Sequence, residues 1–439
     1  KLLTGSNMET ATLYDLFLKH PVVTTDSRMC PKGSIFFALK GERFNGNLFA
    51  EKAIEAGCAY AVVDEEPESR SDRIIRVKDV LESLQKLANC HRKKLKIPII
   101  GITGTNGKTT TKELIAVALS KEFKVAYTQG NLNNQIGVPL TLLSMNKSHE
   151  IGVVEMGASH AGDIRELCGI AEPNYGIITN VGKAHMEGFG TFKNLVNTKA
   201  ELYDFIREHG GKVFVNKDNQ LLFERSEGMD RILYGKNDPS LFASGTIANA
   251  TPFLEFDWSF FDSSYHVKTR LVGEFNFDNA IAAVAVCKFF GINAERISTA
   301  LEEYEPTNYR SQFKRTDNND LIIDAYNANP TSMKASLEFF SSVPTTLPKM
   351  VILGEMKELG ESSDEEHEKI IHFLKEQPYD KVYLVGAVFN KWSATDDTFR
   401  LFDNVDELIE SLQKEPVTNY YILLKGSHSV HLEKAVDSL

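Results

Sequence analysis

An apolar segment from Ile97 to Ile102 runs directly into Gly101-Ile102-Thr103-Gly104-Thr105-Asn106-Gly107-Lys108-Thr109-Thr110-Thr111, and a helical pattern follows. Strand, glycine-rich turn and helix in this order constrain the fold more than any other stretch, because the turn gathers backbone N–H groups at the positive end of a helix. Such a turn cradles a nucleotide triphosphate. Glycines without a Cβ let N–H groups curl around phosphate oxygens, Lys108 supplies a point charge, and the Thr109 hydroxyl is placed for Mg²⁺. A strict Walker A loop puts four residues between its first glycine and the Gly-Lys pair, and Gly101 stands one position too early. The phosphate-wrapping segment is therefore read as Gly104, Thr105, Asn106, Gly107, Lys108, Thr109 and Thr110. The competing reading is a strand-to-helix turn with no ligand.

A chain of 439 residues exceeds one core and suggests about three domains at roughly 150 residues each. The net charge of -11 argues against a general nucleic-acid or membrane-surface binder while leaving room for a local basic pocket. No apolar run approaches the roughly 20 residues needed to cross a bilayer, and no leader pattern is visible, so membrane insertion is not expected. The five cysteines are scattered and include no Cys-x-x-Cys pair, which suggests reduced thiols in a cytoplasm rather than a disulfide or zinc framework.

The expected fold class is α/β in three domains. Residues 1–95 form a small α/β domain, with strands Ser34 to Leu39, Tyr60 to Val63 and Ile74 to Val77 and helices Phe49 to Ala56 and Val80 to Lys94. The basic stretch His91 to Lys96 is read as a solvated helix end. Residues 96–305 repeat strand, loop and helix, which predicts a parallel sheet with strands at 97–102, 124–127, 151–155, 175–179 and 212–216. Alternation between Ile232 and Val272 predicts a few antiparallel strands, followed by an alanine-rich helix from Asn279 to Phe290. Residues 306–439 read as a Rossmann-like, doubly wound domain, with strands at 321–324, 350–354, 381–385 and 421–424 and helices near 332–341, 364–375, 405–413 and 430–437.

Several polar residues fall at strand ends, where an open α/β sheet places its ligands. Glu155 closes the strand Ile151 to Glu155 and can hold the cation that Thr109 reaches; a solvated turn carboxylate is the alternative. His185 follows the next strand, in Thr179-Asn180-Val181-Gly182-Lys183-Ala184-His185, and is either a metal-capable group at the same edge or a packed histidine. Lys199, in Leu195-Val196-Asn197-Thr198-Lys199-Ala200-Glu201-Leu202, reads by pattern as a surface lysine. Asn131, Asn133 and Asn134 form a polar loop suited to a sugar or phosphate, or an ordinary turn. Asp324-Ala325-Tyr326-Asn327-Ala328-Asn329-Pro330, Gly354 to Gly360 and Lys425-Gly426-Ser427-His428-Ser429 place three polar loops at one edge of the last domain.

Taken in order, these segments resemble the Mur ligase family. The resemblance covers nearly the whole chain, from Thr25-Asp26-Ser27-Arg28 and Ile35 to Phe44 through the central loop to Asp324–Pro330 and Leu353–Gly360. The last two segments point to the branch that joins D-alanyl-D-alanine to UDP-N-acetylmuramoyl-tripeptide, with ATP and two Mg²⁺ as cofactors. The resemblance implies that Thr109 and Glu155 hold one Mg²⁺ and that His185 and a carbamylated Lys199 serve the second. It makes Lys108, Lys199 and His185 catalytic, Asn276 and Asn279 adenine contacts, and Arg310 and Asp324 ATP contacts from the third domain. Ser27, Arg28, Lys40, Asn45, Asn131, Asn133, Asn134, Tyr326, Asn327 and Asn329 would contact substrate. It further implies a monomeric bacterial cytoplasmic enzyme without nucleic-acid partners. Phe275 stands where a histidine is expected, Asn45 where an aspartate is usual, and His428 where an arginine commonly follows Lys-Gly-Ser. A folylpolyglutamate synthase-like ligase, another Mur-type ligase, or a non-catalytic nucleotide-gated regulator are the rival readings. Convergence of Glu155, His185 and Lys199 is what a mere ATP sensor would not need.

Overall fold

A computed structural model describes residues 10–42, 44–66, 71–307, 309–392 and 399–439, so Arg43 of the Ile35 to Phe44 segment lies outside the described residues. The first sheet is parallel throughout, in the order Val23–Thr24, Ile35–Phe37, Tyr60–Val63, Ile74–Arg76. Its core is Ile35, Phe37 and Val62, covered by the helix Val80–Leu95. Asp79 starts that helix by accepting from the Glu82 N–H at 2.7 Å. Val80, Leu84, Leu87 and Ala88 fall on one face and are buried.

The end of this helix corrects the sequence reading. Arg92 and His91 are buried rather than solvated. The Arg92 guanidinium donates to the carbonyls of Ala171 (2.9 Å), Ile97 (3.1 Å) and Glu172 (2.9 Å) and to Asn174 Oδ1 (2.8 Å), which ties the first unit to the second. Burial pushes its pKa down, against the pull of the Glu172 carboxylate. Arg92→Ala strands several buried acceptors and is expected to lower unfolding free energy by about 2–3 kcal/mol in denaturant titrations. A change below about 0.5 kcal/mol would show that solvent replaces the clamp.

The second unit carries nine strands in the order Ser263–Val272, Phe253–Phe260, Ala243–Asn249, Asp230–Lys236, Lys212–Asn216, Tyr175–Ile178, Ile99–Thr103, Ile151–Glu155, Val125–Tyr127. Pairing is parallel from Val125–Tyr127 to Ala243–Asn249, and only the last two strands run antiparallel, so the antiparallel part is smaller than the alternation predicts. After Ile99–Thr103 the chain crosses to Val125–Tyr127 on one side, and after Tyr175–Ile178 it moves to Lys212–Asn216 on the other. The carboxyl ends of Ile99–Thr103 and Tyr175–Ile178 therefore flank a topological switch, where such sheets open a crevice. The helix after the loop, Lys108–Leu119, packs on Phe277–Phe289, whose alanine-rich sequence is buried nearly all round and permits close approach.

The third unit is a six-stranded sheet in the order Gln312–Arg315, Asp320–Asp324, Tyr421–Lys425, Lys349–Gly354, Lys381–Val385, Phe399–Phe402, with only Gln312–Arg315 antiparallel. Both edge strands escape the sequence reading because they are short and amphipathic. The helix expected over 430–437 is two 3₁₀ turns, His428–Val430 and Leu432–Ser438, separated by His431 at a φ of 58°. Leu432, Ala435 and Val436 are buried at a spacing that imitates an α-helix. No described helix is long and apolar enough to cross a membrane, and all five cysteines are free.

Candidate active site

The glycine-rich loop occupies the switch crevice, and two of its glycines have no room for a side chain. At Gly104 (φ 143°) a Cβ would stand 2.0 Å from Thr179 Oγ1, and at Gly107 (φ 76°) one would stand 2.3 Å from Asn279 Oδ1. The neighbouring strand end clamps the loop: Thr179 Oγ1 donates to the Asn106 carbonyl at 2.6 Å, Asn180 Oδ1 accepts from the Asn106 N–H at 2.9 Å, and the Thr105 N–H donates to the Asn180 carbonyl at 3.0 Å. Thr105 Oγ1 also accepts from the Gly182 N–H at 3.0 Å. Lys108 Nζ folds back on the carbonyls of Gly104 (2.9 Å) and Thr105 (3.0 Å). Burial lowers its pKa, and the Arg310 guanidinium lowers it further against the opposing pull of Glu155. Thr110 sits half-buried in the first helical turn.

Behind the loop, Glu155 is 1% exposed, and its two oxygens accept from Thr109 Oγ1 (3.0 Å) and Asn133 Nδ2 (2.9 Å). Lys112, wholly buried, donates to the Thr128 carbonyl at 2.7 Å and approaches Glu155 Oε2 at 3.9 Å, while Thr128 Oγ1 accepts from the Glu155 N–H at 3.0 Å. A hydroxyl and a carboxylate oxygen 3.0 Å apart are a hard-oxygen pair of the kind Mg²⁺ takes, so the residues fit that ion. They fit a triphosphate as well, since any Cβ at Gly104 or Gly107 would push the loop out of its wrapped form.

Lys199 contradicts its surface reading. It is 3% exposed on the helix Phe192–Glu208 and makes no hydrogen bond or ion pair with a described residue; its Nζ lies over the Phe189 ring, 5.8 Å from the centroid. Burial chiefly, and then the Lys108 charge, hold its pKa down at about 7.

The third unit reaches this edge at several points. Asn329 Nδ2 donates to Asn106 Oδ1 at 2.7 Å while Asn329 Oδ1 caps the helix Pro330–Ser342. His185 (φ 51°) meets the Glu358 carboxylate through Nδ1, and Lys183 is ion-paired with Glu366 at 3.2 Å. The structure thus gives His185 a carboxylate partner across the units, and among the described residues it makes no hydrogen bond or ion pair with Glu155 or Lys199. Arg310 lies 3.6 Å above the Tyr326 ring, which stacks on His428 at 5.2 Å, and its Nε has no partner among the described residues. Asp324 takes Lys425, Ser336 Oγ (3.2 Å) and the Ser311 N–H (3.2 Å). Asn327 is exposed and lends only its carbonyl, to Lys425 at 3.3 Å.

The remaining sequence candidates are spread more widely. Asn276 and Asn279 bond each other at 2.9 Å, and Asn279 Oδ1 also accepts from Thr111 Oγ1 at 3.0 Å. Phe275 packs edge-on against Phe339 of the third unit, an apolar use of the position. Asn134 caps the turn at Ile136 and Gly137, and Asn131 is exposed. In the first unit Lys40 pairs with Asp64 and Glu65 at 2.9 Å each, and Asn45 donates to Glu65 at 3.0 Å. Ser27 is half-buried, and the exposed Arg28 pairs with Asp26. Sequence reasoning missed Thr179, Asn180, Lys112 and Glu358. Only the first two carried a signal, as polar residues closing a buried strand.

Comparison with known proteins finds relatives along almost the whole chain. Three family descriptions match in chain order: the Mur ligase family catalytic domain at residues 21–92, the Mur ligase middle domain at 102–287 and the Mur ligase glutamate ligase domain at 309–428. The chain is 32% identical to the UDP-N-acetylmuramoyl-tripeptide--D-alanyl-D-alanine ligase of Bacillus subtilis, over 95% of this chain and 92% of that protein. It is 31% identical to the Escherichia coli protein of the same name, over 95% and 93%. Among solved structures, MurF from Acinetobacter baumannii superposes with a TM-score of 0.85 at 31% identity, covering 95% of this chain and 92% of that one. MurF from Thermotoga maritima in complex with ADP gives 0.83 at 28%, covering 96% and 97%. A folylpolyglutamate synthase from Mycobacterium tuberculosis is 14% identical, covers 82% of this chain and 94% of its own, and at a TM-score of 0.61 shares the fold alone. With relatives this similar along almost the full length, and all three family segments in their order around one phosphate loop, the chain belongs to the Mur ligase family.

Proposed function

We propose that this chain is an ATP-dependent ligase that joins D-alanyl-D-alanine to UDP-N-acetylmuramoyl-tripeptide, in the cytoplasm of a bacterium, as a step of peptidoglycan synthesis. The observation that carries the reading is a buried, unpaired Lys199 within electrostatic reach of Lys108, in a chain whose near full-length relatives bear that ligase's name. A nucleotide sensor would have no use for such an amine. We take the domains to be 1–95, 96–305 and 306–439, with the first facing the UDP-sugar through Ser27, Arg28, Lys40 and Asn45.

A carboxylate is a poor acyl donor, so the terminal carboxylate of the tripeptide attacks the γ-phosphorus of ATP, the bond to ADP breaks, and an acyl phosphate forms. The amine of the dipeptide then attacks the activated carbonyl and inorganic phosphate leaves. Mg²⁺, when bound, neutralises charge on the transferring group. The chain's own residues do the rest: the loop N–H groups and Lys108 hold the phosphates, Thr109 and Glu155 hold one cation, and Lys108 leaves the Gly104 and Thr105 carbonyls to meet phosphate oxygen. As a carbamate, formed when its neutral amine attacks CO₂ and loses a proton, Lys199 would supply a carboxylate to hold a second cation. His185, released from Glu358, would be a further ligand for that cation. Arg310 and Asp324 close on ATP from the third domain, whose Asn329 already meets the loop at Asn106.

Phosphate release measured with ATP and Mg²⁺ is expected only when both the UDP-muramoyl-tripeptide and D-alanyl-D-alanine are present. Release that ignores both would sink the ligase reading, and release that needs a folate substrate instead would favour the folylpolyglutamate synthase-like alternative.

A further inference from the structure

Past the Lys425-Gly426-Ser427 loop the chain makes the short turn His428–Val430 and reverses at His431. The reversal sets the two imidazoles 5.5 Å apart, centroid to centroid, and places His431 Nδ1 3.2 Å from Glu433 Oε1. One donor atom from each of His428, His431 and Glu433 lies within 4.8 Å of the other two. The second carboxylate oxygen of Glu433, Oε2, is buried without a hydrogen-bond partner among the described residues. The proposed ligation uses none of the His431 or Glu433 groups.

We propose that His428, His431 and Glu433 form a binding site for a first-row transition-metal ion such as Zn²⁺. A tetrahedral ion about 2.1 Å from each donor needs its donors about 3.4 Å apart. His431 and Glu433 already meet that spacing at 3.2 Å, and His428, exposed and free to turn about its side-chain bonds, closes the remainder. Two imidazole nitrogens and one carboxylate suit Zn²⁺, Co²⁺ or Ni²⁺, whereas Mg²⁺ takes oxygen ligands, so the ion that serves ATP does not compete. Exposure of both imidazoles leaves the fourth position to water. The site also touches the reaction edge, because His428 stacks on Tyr326 and Tyr326 carries Arg310; turning His428 onto an ion draws its ring off that stack.

The test is calorimetric titration of the tag-free, full-length protein with ZnCl₂ in excess Mg²⁺, repeated with CoCl₂ while the visible absorption is followed. The native chain is expected to bind one Zn²⁺ at this site and to show the absorption of Co²⁺ held by nitrogen. His431→Asn, chosen because asparagine tolerates the left-handed backbone at that position, and Glu433→Gln are each expected to weaken binding at least about tenfold and to remove the cobalt absorption. Thermal melting of both variants in the absence of metal confirms that they fold. No Zn²⁺ uptake by the native chain, or affinity unchanged in both folded variants, overturns the proposal.

Discussion

Replacing Lys199 by Met is expected to slow ligation by about a hundredfold to a thousandfold, while leaving the protein folded and ATP bound. Groups that stabilise developing charge in a dry site are worth about 10²–10³ each, and Lys199 is proposed to supply one through its carbamate. Methionine keeps the buried length of the side chain without its amine, so packing against Phe189 survives. Lys199→Ala leaves space instead, and formate or acetate added to that variant is expected to restore part of the rate; full activity of either variant would refute the carbamate. The pH dependence follows from the amine. With its folded pKa near 7, the neutral form that attacks CO₂ grows as pH rises through 7, so protein stripped of bicarbonate and then equilibrated with the same partial pressure of CO₂ is expected to recover activity faster at pH 8 than at pH 6. Stability carries the same signature with a definite sign. The folded pKa lies below the unfolded value of 10.5, so the unfolded chain binds more protons between about pH 7 and 10.5, and burying this lysine costs most below that window. In bicarbonate-free buffer Lys199→Met is therefore expected to be more stable than the native chain at pH 7, with the gap shrinking as pH rises towards 10.5. A gap that does not move with pH would mean that the amine is not desolvated.

Much of this was legible from local pattern, and the failures have physical causes. The strand-turn-helix at 97–111 and the parallel repeats are local consequences of backbone chemistry, and the sheet bears them out. Lys199 was invisible because its burial depends on what the helix Phe192–Glu208 packs against, and a lysine flanked by Thr198 and Ala200 has the pattern of a surface position. Arg92 failed in the same way: four basic residues at a helix end look solvated until the carbonyls of Ala171 and Glu172, about 80 positions later, fold against one of them. The 3₁₀ turns at the C-terminus imitate a helix because burial of Leu432, Ala435 and Val436 carries helical spacing while the left-handed His431 leaves no pattern at all. Partnerships across units, His185 with Glu358 and Asn106 with Asn329, have no local signal.

The phosphate loop is where a single methyl group is expected to do the most damage without touching a ligand. Gly104→Ala is expected to weaken ATP binding about a hundredfold, measured by calorimetry or nucleotide displacement, with the protein still folded. Two strains act together. A φ of 143° is one that L side chains rarely adopt, and holding a residue there costs about 1–3 kcal/mol. The added Cβ would also lie 2.0 Å from Thr179 Oγ1, the hydroxyl that donates to the Asn106 carbonyl at 2.6 Å and so holds the loop in its wrapped form. Thr179 has to turn away, its bond is lost, and the loop N–H groups leave the arc that a phosphate needs. Combining Gly104→Ala with Thr179→Ala separates the causes. Thr179→Ala alone is expected to cost about tenfold in ATP affinity, the worth of one hydrogen bond. If the clash dominates, the double variant binds ATP more tightly than the product of the single losses implies, because the atom struck by the methyl is gone. If backbone strain dominates, the two losses multiply. Binding unimpaired in Gly104→Ala would show instead that the loop rewraps around ATP by a path that does not use Thr179, and the account of the crevice given by these distances would fall.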